Sequence, residues 1–112
     1  MQSSVKPFLF GYLRLRITAG LSAAESGRRL LAEFADAEGF ALVDVYIDAD
    51  ESRPLAALAS MLRCIRTSDA DARGIAVAVP DLGHLGADPM TQRRMRVWIQ
   101  RQAHVRLIVV RS

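Results

Sequence analysis

The sequence contains one cysteine, Cys64, and no apolar run as long as a membrane-spanning helix. A single cysteine excludes an internal disulfide and is typical of a reducing compartment, so we expect a cytoplasmic protein. The apolar segments fall well short of the ~20 residues that a membrane helix needs. The first ten residues carry one lysine and no small-residue cleavage site, so they do not predict a secretion signal.

Acidic residues are missing from the last fifth of the chain. Residues 90–112 contain six arginines and no aspartate or glutamate, which gives this stretch a formal charge of +6 and leaves −3 for the rest. The net charge of +3 is by itself a weak indication of nucleic-acid binding. Fourteen of the fifteen basic residues are arginine, which we interpret mainly as a GC-rich coding bias and only secondarily as phosphate recognition.

What is present is the composition of one globular domain spanning residues 1–112, with 51% apolar and 24% charged residues. Four apolar, strand-like runs alternate with three helix-like segments. This order predicts an α/β fold, a three-layer α/β/α domain with a four-stranded, mainly parallel sheet. The predicted strands are Phe8–Ile17, Ala41–Asp48, Gly74–Val79 and Val105–Val110.

Helix signals stand between these strands. Ser22 with Glu25 three residues later forms a capping box, and Gly39 is a C-cap signal for the same helix. Pro54 is expected at the first position of the second helix. Asp88 precedes a proline and is expected to open the third helix.

The faces of the second and third helices follow from their periodicity. Cys64 lies beside the apolar stripe of the second helix, so we expect it to be buried. On the third helix we expect Met95, Trp98 and Ile99 to face inward. Its opposite, arginine-rich side could lie along a phosphate backbone, bind an acidic partner, or remain a solvated face.

Charged residues collect at the carboxyl ends of the predicted strands, where parallel sheets bind ligands. Alternation places Arg14 and Arg16 on the same face of the first strand as Tyr12. A buried, unpaired guanidinium is costly, so each arginine needs a partner or an opening to water. Acidic residues and one histidine from the other strand ends are expected at the same rim: Asp48, Asp50, Asp81 and His84.

Taken in order, several of these residues resemble a known family. Tyr12-x-Arg14 closes the first strand, Asp48 closes the second, Arg53-Pro54-Leu55 opens the next helix, and Leu82-x-x-Leu85-Gly86 follows the third strand. This order and spacing resembles the catalytic domain of serine recombinases, the resolvase and invertase family, over about Phe8 to Val110.

The resemblance implies a DNA-cleaving chemistry and also its loss. In the family, a serine two residues beyond the Tyr-x-Arg arginine attacks a DNA phosphodiester, and arginines stabilise the phosphate in the transition state. Here the position of that serine is Arg16, which cannot act as a nucleophile. The family's Leu-Asp-Arg-Leu-Gly-Arg signature is also changed, with Gly83, His84 and Ala87 in place of the acid and the two arginines.

By this resemblance no catalytic residue remains, and a phosphate-binding remnant is predicted at Tyr12, Arg14, Arg16, Asp48, Arg53 and His84. Arg16 could still hold an anion, or it could pair with Asp48 or Asp50 and neutralise the old pocket; we favour the pairing. Thr18, Ser22 and Ser52 are hydroxyls near the rim, but their placement does not predict a substitute nucleophile. His84 is interpreted as capping a turn rather than contacting phosphate. No metal site and no cofactor are predicted.

The resemblance also implies parts that follow the catalytic domain in the family, and we expect this chain to lack the long dimerisation helix and the DNA-binding domain. We therefore predict a non-catalytic interaction or regulatory module rather than an enzyme. A homodimer or a larger protein partner is expected, and DNA would be bound weakly by this chain alone. Two alternatives stay open: a non-cleaving contributor to site-specific DNA recombination through partner subunits, and a small-anion or nucleotide-binding domain.

Overall fold

Strands and helices alternate along the chain in a computed structural model that describes residues 6–16, 20–49, 52–68 and 74–111. The elements are β1 Phe8–Arg14, α1 Gly20–Glu38, β2 Ala41–Asp48, α2 Ala56–Thr67, β3 Ile75–Val79, a 3-10 turn Leu82–His84, α3 Pro89–Ala103 and β4 Arg106–Val109. The sheet order is β2-β1-β3-β4, and every neighbouring pair is parallel. The predicted four-stranded parallel α/β fold is confirmed. In the described ranges, no helix has the length and apolarity required to cross a membrane.

The central strand β1 serves two hydrophobic cores, one on each face of the sheet. Phe10 and Tyr12 belong to the core formed with α2 and α3, whereas Leu9 and Leu13 belong to the core formed with α1. Alternation of side chains along a strand produces this division. The helices therefore form two outer layers around the sheet, as the sequence predicted.

Gly11 allows α1 to approach the middle of β1. A Cβ atom at Gly11 would lie 2.7 Å from Cδ1 of Leu31 and 3.1 Å from Cγ2 of Val45. Both neighbours are buried core side chains, so neither has room to withdraw. The strand therefore needs a residue without a side chain at this point.

Two of the helix ends that the sequence predicted are confirmed. Gly39 has a φ of 77°, and the N–H of Phe40 donates to the carbonyl oxygen of Ala35 at 2.9 Å, which is the Schellman pattern for the end of α1. At the start of α3, Asp88 accepts hydrogen bonds from the backbone N–H and the hydroxyl of Thr91, both at 2.9 Å.

Other predicted boundaries were wrong. Helix α1 begins at Gly20, so Ser22 lies inside its first turn rather than at the cap. Helix α2 begins at Ala56, because Leu55 adopts a left-handed conformation with φ of 62° that interrupts the helix after Pro54. Strand β1 ends at Arg14, three residues before its predicted end.

Two side chains on the helices are more exposed than their periodicity predicted. Trp98 is 41% exposed, because it lies about 100° around α3 from the fully buried Ile99. Cys64 is also exposed and does not join the core stripe of α2. The hydrogen bond between Tyr46 and Cys64, with partial burial, raises the pKa of Tyr46 to about 12. The periodicity thus predicted the centre of the buried face of each helix but not how far around the helix that face extends.

Candidate functional site at the strand ends

The carboxyl ends of the three strands β1, β2 and β3 meet at one edge of the sheet, which we call the rim. Arg14, the last residue of β1, is in register with Asp48, the last residue of β2. Strand β3 ends at Val79, and the chain then passes through Asp81 into the 3-10 turn that ends at His84. The topology therefore places Arg14, Asp48, Asp81 and His84 at the same rim.

Asp48 is the most highly connected side chain at the rim. The hydroxyl of Tyr12 donates to its Oδ2 at 2.7 Å, the N–H of Leu58 donates to the same oxygen at 3.1 Å, and the N–H of Ala57 donates to Oδ1 at 2.8 Å. The carboxylate is only 8% exposed. It satisfies two free N–H groups in the first turn of α2, where the helix dipole also favours a negative charge. We call Asp48, Tyr12 and these two amides the Asp48 cluster.

Tyr12 acts in this cluster as a hydrogen-bond donor. Its side chain is 1% exposed, and burial, followed by the hydrogen bond and the negative charge of Asp48, raises the pKa of Tyr12 far above its ordinary value; the positive charge of Arg14 opposes this only in part. The phenol is therefore protonated at neutral pH. A protonated, fully buried hydroxyl that already donates to a carboxylate has no role as a base or a nucleophile.

His84 links the 3-10 turn to the end of β1. The backbone N–H of Arg14 donates to Nδ1 of His84 at 2.9 Å. Burial lowers the pKa of His84, with the Asp81 carboxylate opposing the shift. The bond requires a lone pair on Nδ1, so it assigns the neutral ring with its proton on Nε2. This tether agrees with the predicted structural role of His84 more closely than with a phosphate contact.

The arginines of the rim are arranged differently, because the side chains of Arg14, Arg16 and Arg53 are all exposed. Arg16 lines a cleft of about 560 Å³ between the start of α1 and the ends of β1 and β2, together with Leu15 and Ile47. Arg16 thus has the opening to water that its charge requires. Strand β1 ends at Arg14, and Leu15 beyond it still packs against the core on the α1 side of the sheet.

Arg16 was predicted to pair with Asp48 or Asp50, and the structure gives no ion pair between Arg16 and Asp48, both of which it describes. Both carboxylate oxygens of Asp48 are engaged by the Asp48 cluster, and Arg16 faces the cleft instead. The alternative partner Asp50 lies outside the described residues, as does the candidate hydroxyl of Thr18. The side chains of Ser22 and Ser52 are exposed, the first within α1 and the second before α2.

The structure adds two charged residues to the rim that sequence reasoning did not include as site residues. Glu25 and Arg28 of α1 line the same cleft as Arg16. Their spacing of three residues places them on one face of the helix, which was the signal available in the sequence. Among the residues that the structure describes, no group of three histidine, cysteine or acidic side chains could hold a metal ion.

Residues 82–87, which correspond to the family's Leu-Asp-Arg-Leu-Gly-Arg signature, contribute packing contacts rather than the signature's charged side chains. Leu85 is fully buried, and a Cβ atom at Gly86 would lie 2.5 Å from Cγ2 of Thr91 in the first turn of α3. Leu82, by contrast, is 37% exposed. Gly83 donates its N–H to Oδ1 of Asp81 at 2.9 Å and thereby closes the turn. Leu85 and Gly86 hold the start of α3 against the sheet.

This architecture, with its all-parallel four-stranded sheet and the rim at the strand ends, is the fold of serine recombinase catalytic domains. A resolvase family site-specific recombinase from Streptococcus pneumoniae superposes with a TM-score of 0.71 at 22% identity, over 94% of this chain and 72% of that one. The C-terminal catalytic domain of the IS607-like serine recombinase ISC1926 TnpA gives 0.68 at 17% identity, over 94% and 70%. The N-terminal catalytic domain of TP901-1 integrase gives 0.68 at 15% identity, over 92% and 76%.

Comparison of the sequence alone does not identify this similarity. No protein-family model matches it, and no curated protein matches it. At identities of 15–22%, the structural similarity establishes the fold. Function must therefore be argued from the side chains at the rim.

Proposed function

We propose that this chain is a serine-recombinase-like domain without the nucleophile and that it serves as a non-catalytic interaction or regulatory module. The proposal rests on one position. Where the resemblance to serine recombinases requires a serine, this chain has Arg16, an exposed guanidinium at the edge of a cleft. A guanidinium has no nucleophilic lone pair at neutral pH, so the attack on a DNA phosphodiester has no attacking atom there.

Two rim residues that match the family, Tyr12 and Asp48, are consistent with the proposal, because their structural contacts explain their presence without DNA cleavage. Tyr12 and Asp48 form a buried hydrogen-bonded cluster that caps α2. Such a cluster stabilises the domain whether or not it binds phosphate. Their presence in this chain is therefore no argument for cleavage. The residues that differ from the family, Arg16, Gly83, His84 and Ala87, stand at the positions of its nucleophile, acid and two arginines.

Incubation with supercoiled plasmid DNA tests the proposal. We expect no nicked or linear DNA and no protein-linked DNA from the wild-type chain. Arg16→Ser restores a hydroxyl at the decisive position, and we expect it to be inactive as well, because the acid and arginines of the second signature are replaced. Arg16→Ala is the matched control without a hydroxyl. A covalent protein–DNA adduct formed by the wild-type chain would contradict the proposal.

A second candidate function is a non-cleaving contribution to DNA recombination alongside partner subunits that supply the serine. The observation that favours it is the exposure of three arginines at one rim: Arg14, Arg16 and Arg53. Exposed guanidinium groups on one edge are suited to positioning phosphates. If this function holds, affinity for a DNA duplex should fall steeply with rising salt, and Arg14→Ala with Arg53→Ala should reduce that salt dependence. A flat salt titration would count against it.

A third candidate is a binding site for a small anion or nucleotide. The cleft beside Arg16 favours it, because Arg28 supplies a second guanidinium and Leu15 and Ile47 an apolar wall. Thermal denaturation with millimolar phosphate, sulfate or nucleotides tests this function, since a bound ligand raises the melting temperature. No shift with any of these anions would dismiss it.

A further inference from the structure

The exposed side of α3 combines large apolar side chains with arginines. Met90 is 64% exposed, Trp98 41% and Val97 40%. Arg94 and Arg101 are exposed on the same side of the helix. We call these five residues the α3 surface. Single exposed apolar residues are ordinary on proteins, but three of them among arginines on one helix face are typical of an interaction surface.

A pocket next to Trp98 gives the α3 surface a binding site for an apolar side chain. Its volume is about 360 Å³, and Leu55, Thr91, Arg94, Met95 and Trp98 line it. Leu55 closes the pocket from the segment before α2, where its backbone has a left-handed φ of 62°. Apart from Arg94 and the threonine hydroxyl, the side chains around the pocket are apolar.

The charge of the α3 surface is balanced only in part, because Asp88 at the helix start interacts electrostatically with Arg94. Residues 90–112 contain no acidic residue, so Asp88 at the helix start is the nearest carboxylate in sequence. Arg94 and Arg101 are seven residues apart, which separates them by ~10 Å along the helix axis on one side. Carboxylates spaced by two helical turns on a partner would match this separation and the sign of the charge.

We propose that the α3 surface binds an acidic amphipathic segment of another protein. One apolar side chain of that segment enters the pocket beside Trp98, and its carboxylates pair with Arg94 and Arg101. This inference rests on the proposed role as an interaction module and names the partner's chemistry. It uses the helix-in-groove mode of recognition, in which an apolar anchor supplies affinity and flanking charges set orientation.

The apolar half of the surface favours a protein over a nucleic acid. A phosphate backbone would neutralise Arg94 and Arg101 but would leave Met90, Val97 and Trp98 against charged, strongly hydrated groups. Burial of these side chains against an apolar partner removes them from water at a gain of ~25 cal/mol per Å². A partner that carries both carboxylates and apolar side chains satisfies all five residues at once.

A displayed library of random 16-residue peptides is the probe that tests this inference. Clones are selected on the wild-type chain and sequenced, and chosen peptides are titrated while the emission of Trp98, the sole tryptophan of the chain, is recorded. We expect the enriched peptides to be acidic with apolar side chains at helical spacing, and their binding to shift the emission of Trp98 to shorter wavelength.

Variants separate the α3 surface from the rest of the molecule. Trp98→Ala has no tryptophan, so the anisotropy of a fluorescein-labelled peptide measures binding to the variants. Trp98→Ala should weaken peptide binding at least about tenfold, the usual effect of removing an aromatic anchor, and Arg94→Glu with Arg101→Glu should weaken it further. Arg29→Glu on α1 makes the same charge change as Arg94→Glu alone, on the opposite face of the sheet, and should leave binding unchanged. Because all these side chains are exposed, circular dichroism should show native folding for each variant.

The outcomes are distinct. Failure to enrich any clone, enrichment of basic or uncharged peptides, or binding that tolerates Trp98→Ala and Arg94→Glu would overturn the inference. A 20-base-pair duplex that displaces the peptides, with affinity sensitive to Arg94→Glu but not to Trp98→Ala, would show a nucleic-acid surface and equally overturn it. None of these results bears on the proposed loss of the nucleophile, which the plasmid assay tests separately.

Discussion

The acidic and basic sides of the rim lie next to each other, yet their relation to the fold differs. Asp48 is 8% exposed and accepts three hydrogen bonds, from Tyr12 and from two amides of α2. Arg14 ends the neighbouring strand and Arg16 follows two residues later, and both side chains are exposed. One side of the rim is therefore part of the protein's architecture, and the other is available to solvent or to a ligand.

This difference separates two reasons for a residue to match a family pattern. Tyr12 and Asp48 would be needed for folding even in a domain with no chemistry, because their hydrogen bonds hold the start of α2 against β1 and β2. Arg14, Arg16 and Arg53 make no comparable contribution to the architecture. The identity of the basic residues therefore carries the functional information, and Arg16 is the informative one.

The largest expected effect on stability comes from removing the carboxylate of Asp48, on the acidic side of the rim. Asp48→Ala leaves the buried hydroxyl of Tyr12 and two amides of α2 without their acceptor, so we expect the free energy of unfolding to fall by about 2 to 4 kcal/mol. Urea denaturation with an unchanged m-value measures it. Asp36→Ala on the exposed side of α1 is the matched control, with an expected change within ~0.5 kcal/mol. A loss at Asp48 no larger than at Asp36 would remove the distinction between the two sides.

The next effect is smaller and depends on alkaline pH. Tyr12→Phe keeps the ring and loses one buried hydrogen bond, so we expect a loss of ~1 kcal/mol at neutral pH. Because the pKa of Tyr12 is raised in the folded state above its ordinary value of 10.0, the wild-type chain should lose stability as pH rises above about 10. That alkaline loss should be reduced in Tyr12→Phe.

Urea denaturation between pH 8 and 11 measures the slopes. An equal alkaline slope in wild type and Tyr12→Phe would show that the phenol is not held protonated by the cluster.

The tether between His84 and β1 should produce a mild effect at acidic pH. Folding lowers the pKa of His84, so its contribution to stability is present above the ordinary histidine pKa of 6.5 and is lost as pH falls below it. His84→Asn places an oxygen acceptor near the Nδ1 position and does not titrate. We expect the variant to lose less stability than wild type between pH 7 and 5.

Thermal denaturation across that pH range checks the tether. His104→Asn is the control, because His104 is an exposed residue with φ of 53° after α3, a conformation that asparagine tolerates. The acid sensitivity due to His84 should persist in it. If His84→Asn and wild type respond alike to acid, the hydrogen bond to Arg14 does not contribute to stability.

The smallest effect is expected on the basic side. Arg14→Ala, Arg16→Ala and Arg53→Ala remove exposed side chains, so each should change the free energy of unfolding by no more than ~0.5 kcal/mol. Urea denaturation of the three variants, with Asp48→Ala as the reference for a large effect, measures this. A loss above ~1.5 kcal/mol at any one of them would assign that arginine to the architecture.

The sequence predicted the fold well, because its strand signals are local and strong. The runs that became β3 and β4 are apolar on both faces, as buried parallel strands are, and Gly39 and Asp88 end and begin helices as their types require. Boundaries failed where a distant contact decided them. Helix α2 begins after the left-handed Leu55. There the N–H groups of Ala57 and Leu58 donate to the carboxylate of Asp48, which lies nine and ten residues earlier in the chain.

The sequence predicted the position of the rim in the fold better than it predicted the contacts among the rim residues. Parallel topology alone brings Arg14, Asp48 and His84 to one edge. The partner of Asp48 was not predictable, because choosing between Arg16 and the amides of α2 depends on the direction of the chain after β1 ends. Glu25 joins the cleft for the same reason, although its spacing suggested only a helix cap.

The most direct measurement of the central claim is the intact mass of the chain after incubation with supercoiled plasmid DNA and digestion of the DNA with nuclease. Without a hydroxyl at position 16, we expect the mass to equal that of the untreated protein in every sample. A population heavier by one or more nucleotides, mapped by peptide sequencing to any serine or threonine of the chain, would show that a nucleophile is present and would contradict the account.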